Sequence, residues 1–249
     1  MTAARSTLTP VRPASFDADL GDALARGEHG PVPTDLAAFE RAFMALVEGS
    51  APDRDTAWDA FYDTTLDRVR AGWGLATPGS GTVASFTRIW SRAAALTRGG
   101  LALDVGTCFG FLPLAWSQQP GAPRLLAVDL SPQSAALTAR QARRLGGRVG
   151  VVCADGTRLP LPDRGVDTVH VLHVLEHLPP APARAVLAEA LRVADRRVVV
   201  AVPVEARPDP VFGHVQVFDV ARLAELGAGT GWQARTDVAD GAWLVLDRP

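Results

Sequence analysis

Residues 101–114 read LALDVGTCFGFLPL. The apolar run Leu101-Ala102-Leu103 predicts a buried strand, Asp104-Val105-Gly106 a turn, and the apolar pattern that resumes at Phe111 a helix start. Glycines at 106 and 110 let the backbone pass close to a ligand, because no Cβ intervenes. Amides at the start of the helix then face whatever carries a carboxylate or phosphate. A dinucleotide loop requires G-x-G-x-x-G, and here Cys108 and Phe111 occupy its second and third glycine positions. The loop is therefore a poor pyrophosphate cradle.

Downstream, strand and helix patterns alternate, as in a parallel sheet covered on both faces. After strand 101–105 and a helix through Gln118, strands are expected at Arg124–Asp129, Val149–Ala154, Thr168–His173 and Arg197–Pro203. Helices are expected over Gln133–Leu145, entered at Ser131 or Pro132, and over Ala183–Val193 and Val220–Leu226. Trp232–Val238 and Ala242–Asp247 are separated by only Ala239-Asp240-Gly241, which calls for an antiparallel hairpin. The expectation is a seven-stranded, mostly parallel α/β sheet closed by that hairpin.

Upstream, residues 1–33 are rich in Pro, Gly and small polar residues and read as a loose arm. Thr34 is the expected cap of a helix over Asp35–Glu48, and a second helix spans Asp55–Ala71. Its aromatic stripe (Trp58, Phe61, Tyr62) either packs on the neighbouring helix or lines a lid whose aromatics stack on substrate. Gly72–Gly81 reads as a linker, and a helix over Thr82–Thr97 leads into the central strand. Two parts are thus expected, an N-terminal arm and helical lid at 1–81 and a ligand-binding domain at 82–249.

Composition narrows the partners. The 249 residues carry 25 basic and 27 acidic side chains, a net charge of −2, so nothing favours nucleic acid or an anionic membrane. Every basic side chain apart from histidine is arginine, and the chain lacks lysine and asparagine. No apolar run approaches the ~18 residues of a membrane span, and the first residues lack a signal-peptide core. Cys108 and Cys153 form no C-x-x-C pair and are expected reduced, in a cytoplasmic protein.

Three further stretches carry chemistry. Asp129 ends the second strand, at the edge where ligands sit in an open α/β sheet. Its carboxylate suits the paired hydroxyls of a ribose, or alternatively caps the next helix, a role open to Ser131. Asp155-Gly156 ends the third strand, where Asp155 suits an adenine amine or simply forms a turn. The stretch VLHVLEHLP contributes His173, Glu176 and His177, and His214 follows at a distance; His170 is expected to be structural. Any of the three outer histidines can be a structural hydrogen-bonding group or a general base. The spacing His173-x-x-Glu176-His177 has no dedicated metal signature; no metal site is expected, with metal-assisted deprotonation the minor alternative.

Together D-x-G-x-x-x-G (Asp104, Gly106, Gly110), Asp129, Asp155 and VLHVLEHLP resemble the four successive cofactor-contacting motifs of class I S-adenosylmethionine (SAM) methyltransferases, over residues 82–249. The resemblance implies a Rossmann-like fold, bound SAM, and methyl transfer to an acceptor. It sets Gly106, Thr107 and Cys108 near the methionyl part, Asp129 on the ribose, and Leu130 and Asp155 on the adenine, with Asp104, Gly110, Gly156 and His173 completing the cofactor set. Cys108 replaces the more usual middle glycine, which puts the local backbone geometry in question. A hydroxyl acceptor must lose its proton, so His173 is the expected base, with His177, His214 and Glu176 beside it. More narrowly, AWDAFYDTTL, LDVGTCFGFLPL, VDTVHVLHVLEHLP, RRVVVAVPVE and GHVQVFD resemble the methyltransferase of the mycofactocin system, with the match reaching back to about Asp35. That implies O-methylation of a glucose unit in an oligosaccharide. The competing readings are a phenol, carboxylate or amine acceptor, or a SAM-binding module without catalysis.

Overall fold

The computed structural model describes residues 17–76 and 79–249. These divide into two compact units. One runs to Arg88 and takes in Asp209–Gly213; the other comprises Ile89–Pro208 and His214–Pro249.

The first unit is helical. α1 (Leu20–Ala25) lies within the stretch expected to be a loose arm. Its stability comes from Leu20 and Leu24, both buried, and from Asp19, which accepts from the Val83 amide and pairs with Arg68. The remainder of that expectation, residues 1–16, lies outside the described residues. α2 (Leu36–Glu48) is capped by Asp35 and not by Thr34: the Asp35 carboxylate accepts from the Ala38 amide at 2.9 Å, while the Thr34 hydroxyl donates to Asp35. The carboxylate is the stronger acceptor for an orphan amide and carries the charge that suits a helix N-terminus. α3 (Arg54–Gly72) presents Trp58, Phe61, Tyr62 and Leu66 to the interior, all fully buried. Phe61 meets Phe43 and Trp58 edge to face, at centroid distances of 5.6 and 5.5 Å. The aromatic stripe is core packing, and no face of Trp58 or Tyr62 is left for a ligand. α4 (Thr82–Leu96) begins in this unit and finishes in the other.

The second unit is a seven-stranded sheet in the order β3-β2-β1-β4-β5-β7-β6. Its strands are β1 (Leu101–Val105), β2 (Arg124–Asp129), β3 (Val149–Cys153), β4 (Val166–Leu172), β5 (Ala194–Val202), β6 (Gln233–Val238) and β7 (Ala242–Asp247). The first five are parallel, and β7 runs antiparallel between β5 and β6. Val198 to Val202 of β5 are buried on both faces, as expected of an inner strand covered by helices on each side. β7 is clamped to β5 by Arg197, nearly buried, whose guanidinium donates to both Asp247 oxygens at 2.7 and 2.9 Å. The covering helices of this unit are α5 (Phe111–Trp116), α6 (Pro132–Arg144), α7 (Pro180–Val193) and α8 (Val220–Ala228).

One strand end departs from expectation. β4 stops at Leu172, and His173 follows with a left-handed backbone (φ 54°). Alternation along a strand therefore says nothing about where His173 points. Since β1 lies between β2 and β4, the glycine loop, Asp129 and His173 all emerge at the carboxyl edge of adjacent strands. Among the described residues no helix is long and apolar enough to cross a membrane.

Candidate active site

The loop after β1 is held by its neighbours on both sides. Gly106 and Thr107 amides both donate to Val128 O of β2, at 2.8 and 3.0 Å. Gly106 has φ 71°, and a Cβ there would stand 2.6 Å from Val174 Cγ2. Gly110 caps α5 in the same left-handed conformation, and a Cβ would stand 2.3 Å from Thr138 Cγ2. Both glycines are required by backbone conformation and by close packing at once. Cys108 also sits at φ 52°, so the loop keeps a left-handed residue at the substituted position.

Asp129 ties this loop to β2. One carboxylate oxygen accepts from the Cys108 amide at 2.7 Å and the other from the Ser131 amide at 2.8 Å. Ser131 itself caps α6 through the Ser134 amide, which leaves Asp129 out of the capping role. Burial raises the Asp129 pKa above the usual carboxylate range despite those two amides. Asp104 is more extreme. It is enclosed at the end of β1, and burial lifts its pKa to about 7, against the hydrogen bond from Thr107 Oγ1 (2.6 Å) and with a contribution from the Asp129 charge.

Farther along the edge, Leu130 is largely exposed. Asp155 accepts from the Thr157 amide at 2.8 Å, the geometry of a short Asx turn, and its pKa is lowered by that amide. A Cβ at Gly156 would press on Val105 Cγ1 at 3.0 Å.

The histidines separate into two environments. His170 is enclosed beside Trp116, with Nε2 2.9 Å from Thr97 Oγ1, and burial depresses its pKa to about 4. It is a neutral core residue. His173, Glu176, His177 and His214 gather instead beyond β4. His173 Nδ1 lies 3.3 Å from Glu176 Oε1, and the His177 and His214 rings meet edge to face at 4.8 Å. His214 Nδ1 is 2.8 Å from Glu205, just past the end of β5.

Two residues outside the sequence expectation build this cluster. Glu205 orients His214; its only signal in the sequence was a carboxylate three residues beyond a strand end. Gln216, nearly buried, donates to Leu175 O (2.9 Å) and Leu178 O (2.6 Å), while the Val215 amide donates to Glu176 O at 2.8 Å. Those bonds fasten the His214 segment to the 3-10 turn Leu175–His177.

Residues 102–196 match a family model described as a methyltransferase domain. No curated protein matches the chain by sequence. Among solved structures, a SAM-dependent methyltransferase from Aquifex aeolicus is 18% identical with a TM-score of 0.53, over 75% of this chain and 95% of that one. The magnesium protoporphyrin IX methyltransferase of Synechocystis, solved with bound SAM, is 19% identical with a TM-score of 0.54, over 78% and 96%. The 4+2 cyclase SpnF is 19% identical with a TM-score of 0.58, over 75% and 93%. Residues 102–196 are thus similar to a methyltransferase domain, and the chain shares the fold of these SAM-dependent methyltransferases.

SAM brings two positive groups, an ammonium and a sulfonium, and the carboxyl edge of this sheet suits them. Asp104 is buried there and Asp129 half-buried, and neither accepts a hydrogen bond from a basic side chain among the described residues. A cationic ligand would draw the raised Asp104 pKa down and leave the carboxylate ionised. The exposed Leu130 beside Asp129 offers an apolar surface for a flat base.

Proposed function

We propose that this methyltransferase acts on a hydroxyl, that the hydroxyl belongs to a sugar, and that the acceptor is a glucose unit of the oligosaccharide attached to mycofactocin. The observation that carries the first step is the cluster of His173, Glu176, His177, His214 and Glu205 at the carboxyl ends of β4 and β5. A carboxylate acceptor has a lone pair ready at neutral pH, whereas a hydroxyl needs a place for its proton. A histidine set oriented by glutamates is suited to that task. The sugar and the glucose unit rest on the five phrases quoted above.

When bound, SAM supplies a methyl group already activated on a sulfonium. The chain has to hold and align. In our reading Gly106, Thr107, Cys108 and Gly110 form the wall beside the methionyl part, and Asp104 balances its charge. Asp129 retains lone pairs for two ribose hydroxyls even while it accepts from Cys108 and Ser131. Leu130, Asp155 and Gly156 border the adenine. The histidine–glutamate cluster receives the acceptor and takes charge of its proton, and alignment of acceptor with donor supplies most of the remaining acceleration.

Incubation with methyl-labelled SAM and separate panels of glucans, phenols, carboxylates and amines tests the reading, with NMR locating the methyl. Label in a sugar methyl ether is the expected result. Label that enters only amines or carboxylates would sink the hydroxyl assignment; label in phenols alone would remove the sugar.

A further inference from the structure

Glu176 is the most unusual group in the second unit. Its side chain is 1% exposed, yet neither carboxylate oxygen accepts a hydrogen bond. Oε1 lies 3.3 Å from His173 Nδ1 without hydrogen-bond geometry, and no arginine reaches it among the described residues. A carboxylate enclosed in this way is costly unless a cation or several donors meet it. The surroundings supply ligand atoms. A carboxylate oxygen of Glu176 and one ring nitrogen each of His177 and His214 lie within 4.8 Å of one another.

We infer that Glu176, His177 and His214 bind a divalent first-row transition ion of the zinc type. Two imidazoles and one carboxylate are a donor set that such ions accept, whereas Mg²⁺ and Ca²⁺ prefer oxygen throughout. Three protein ligands leave at least one coordination position open, as in catalytic sites and not in closed structural ones. The outer layer agrees. Glu205 engages His214 Nδ1, which fixes the ring, the carboxylate–histidine–metal arrangement that strengthens a ligand. Gln216 and the Val215 amide hold the two ligand-bearing segments together, so much of the ordering is in place before an ion arrives. Donors in a tetrahedral zinc site stand roughly 3.4 Å apart, given bonds of ~2.1 Å, so binding draws the three side chains inward by an ångström or so. Resting on the hydroxyl-acceptor reading, the open position would take the acceptor's oxygen and lower its pKa, the proton passing to His173, the histidine of the cluster outside the ligand set. This departs from the sequence expectation of no metal site. The departure arises because His214 and Glu205 are remote in sequence from the EH pair.

The experiment uses the full-length chain stripped by a chelator and titrated with Co²⁺, followed by its visible absorption and by displacement with Zn²⁺. One ion per chain is expected, bound at micromolar level or tighter and unaffected by excess Mg²⁺. Glu176→Gln and His214→Ala should each weaken it at least tenfold, Glu205→Gln about tenfold, and His29→Gln not at all. Calorimetry with S-adenosylhomocysteine (SAH), the demethylated product of SAM, reports on every variant whether it is folded and tests the cofactor reading separately. If the ligand variants fail to fold, X-ray absorption on the zinc-loaded wild-type chain decides instead, with two imidazoles expected in the first shell. Absence of binding, equal binding by Glu176→Gln and His214→Ala, or a shell without imidazole would overturn the site. With an accepted substrate, chelation should lower methyl transfer at least tenfold and Zn²⁺ should restore it. Unchanged turnover would overturn the ion's role in the reaction, while failure to methylate any hydroxyl would count against the acceptor reading and leave the binding result standing.

Discussion

Asp129 and Glu176 are both carboxylates withdrawn from solvent at the carboxyl edge of one sheet, and they are treated in opposite ways. Asp129 spends an oxygen on each of two backbone amides, Cys108 and Ser131, and so locks the glycine loop to β2. Glu176 accepts no hydrogen bond and faces three histidines, His173, His177 and His214. The first is satisfied by its own fold and has lone pairs left over. The second is stable only when a cation attends it. One end of the edge is therefore preorganised around the backbone, the other around a charge that must be neutralised.

The largest effect should come from Asp104, the enclosed neighbour of Asp129. The folded state keeps the Asp104 proton up to about pH 7, whereas the unfolded chain releases it near 3.8. Between those values Asp104 holds more proton in the native state, so its contribution to stability is highest at the acid end, falls as pH rises to about 7 and is flat above. His170, depressed to about 4, contributes the opposite slope up to about pH 6.5. The Asp104 slope at mid-window should approach ~1.4 kcal/mol per pH unit. Asp104→Asn should remove it, as urea denaturation at pH 5, 6 and 8 would show. SAM binding near pH 6 should release a proton in the wild type, detected by calorimetry in buffers of different ionisation enthalpy, and none in Asp104→Asn. A wild-type stability that rises with pH relative to that of Asp104→Asn, in which the opposing His170 slope is shared, would contradict the placement of Asp104.

Next in size is Asp129→Ala. Loss of charge-assisted bonds to two ribose hydroxyls should cost about 1.5–3 kcal/mol, or roughly 10- to 150-fold in SAH affinity. The same change in Glu176 should leave SAH affinity within about twofold, since of the residues expected on the cofactor it meets only His173. Equal losses for the two variants would erase the contrast drawn between them.

A smaller effect, of opposite sign, follows for stability without metal. Glu176→Gln replaces a charge that lacks hydrogen bonds by a neutral isostere and should raise stability by about 1 kcal/mol. Asp129→Asn turns one acceptor into an NH₂ facing a backbone N–H and should lower it by about 1–3 kcal/mol. Denaturation in the presence of a chelator measures both; a stabilised Asp129→Asn would show that its two amides do not depend on the carboxylate.

The sheet was legible in the chain because its signals are local. The hairpin spacing at 239–241, the valine run of β5 and the turn at Gly106 each act within a few residues, and the strands lie where those patterns end. The cap of α2 was misread because Thr34 and Asp35 are both good caps, and only geometry chooses between neighbours. α1 escaped because six residues, one of them Gly21, carry too little periodicity to register, and its support comes from Arg68 and Val83 far along the chain. The histidine cluster was half legible. His173, Glu176 and His177 share one phrase, but Glu205 and Gln216 act across the fold, and sequence spacing contains no trace of that meeting.

The smallest effect concerns the residue that most resembled a defect. Cys108 stands where a glycine is more usual, and its backbone is left-handed at φ 52°. A side chain held there costs roughly 1–2 kcal/mol, because its Cβ crowds the neighbouring carbonyl. Cys108→Gly relieves that crowding but enlarges the unfolded ensemble by an opposing ~0.4–1 kcal/mol, so a net gain of about 0.5–1 kcal/mol is expected. Cys108→Val, β-branched in the same conformation, should lose about 1–2 kcal/mol. Both substitutions leave the Cys108 amide bonded to Asp129, so SAH affinity should shift by less than about threefold in Cys108→Gly. Denaturation midpoints at constant m-value give the order Gly above Cys above Val. The reverse order would mean that the loop is not left-handed at 108, and the amide that Asp129 holds would have to point elsewhere.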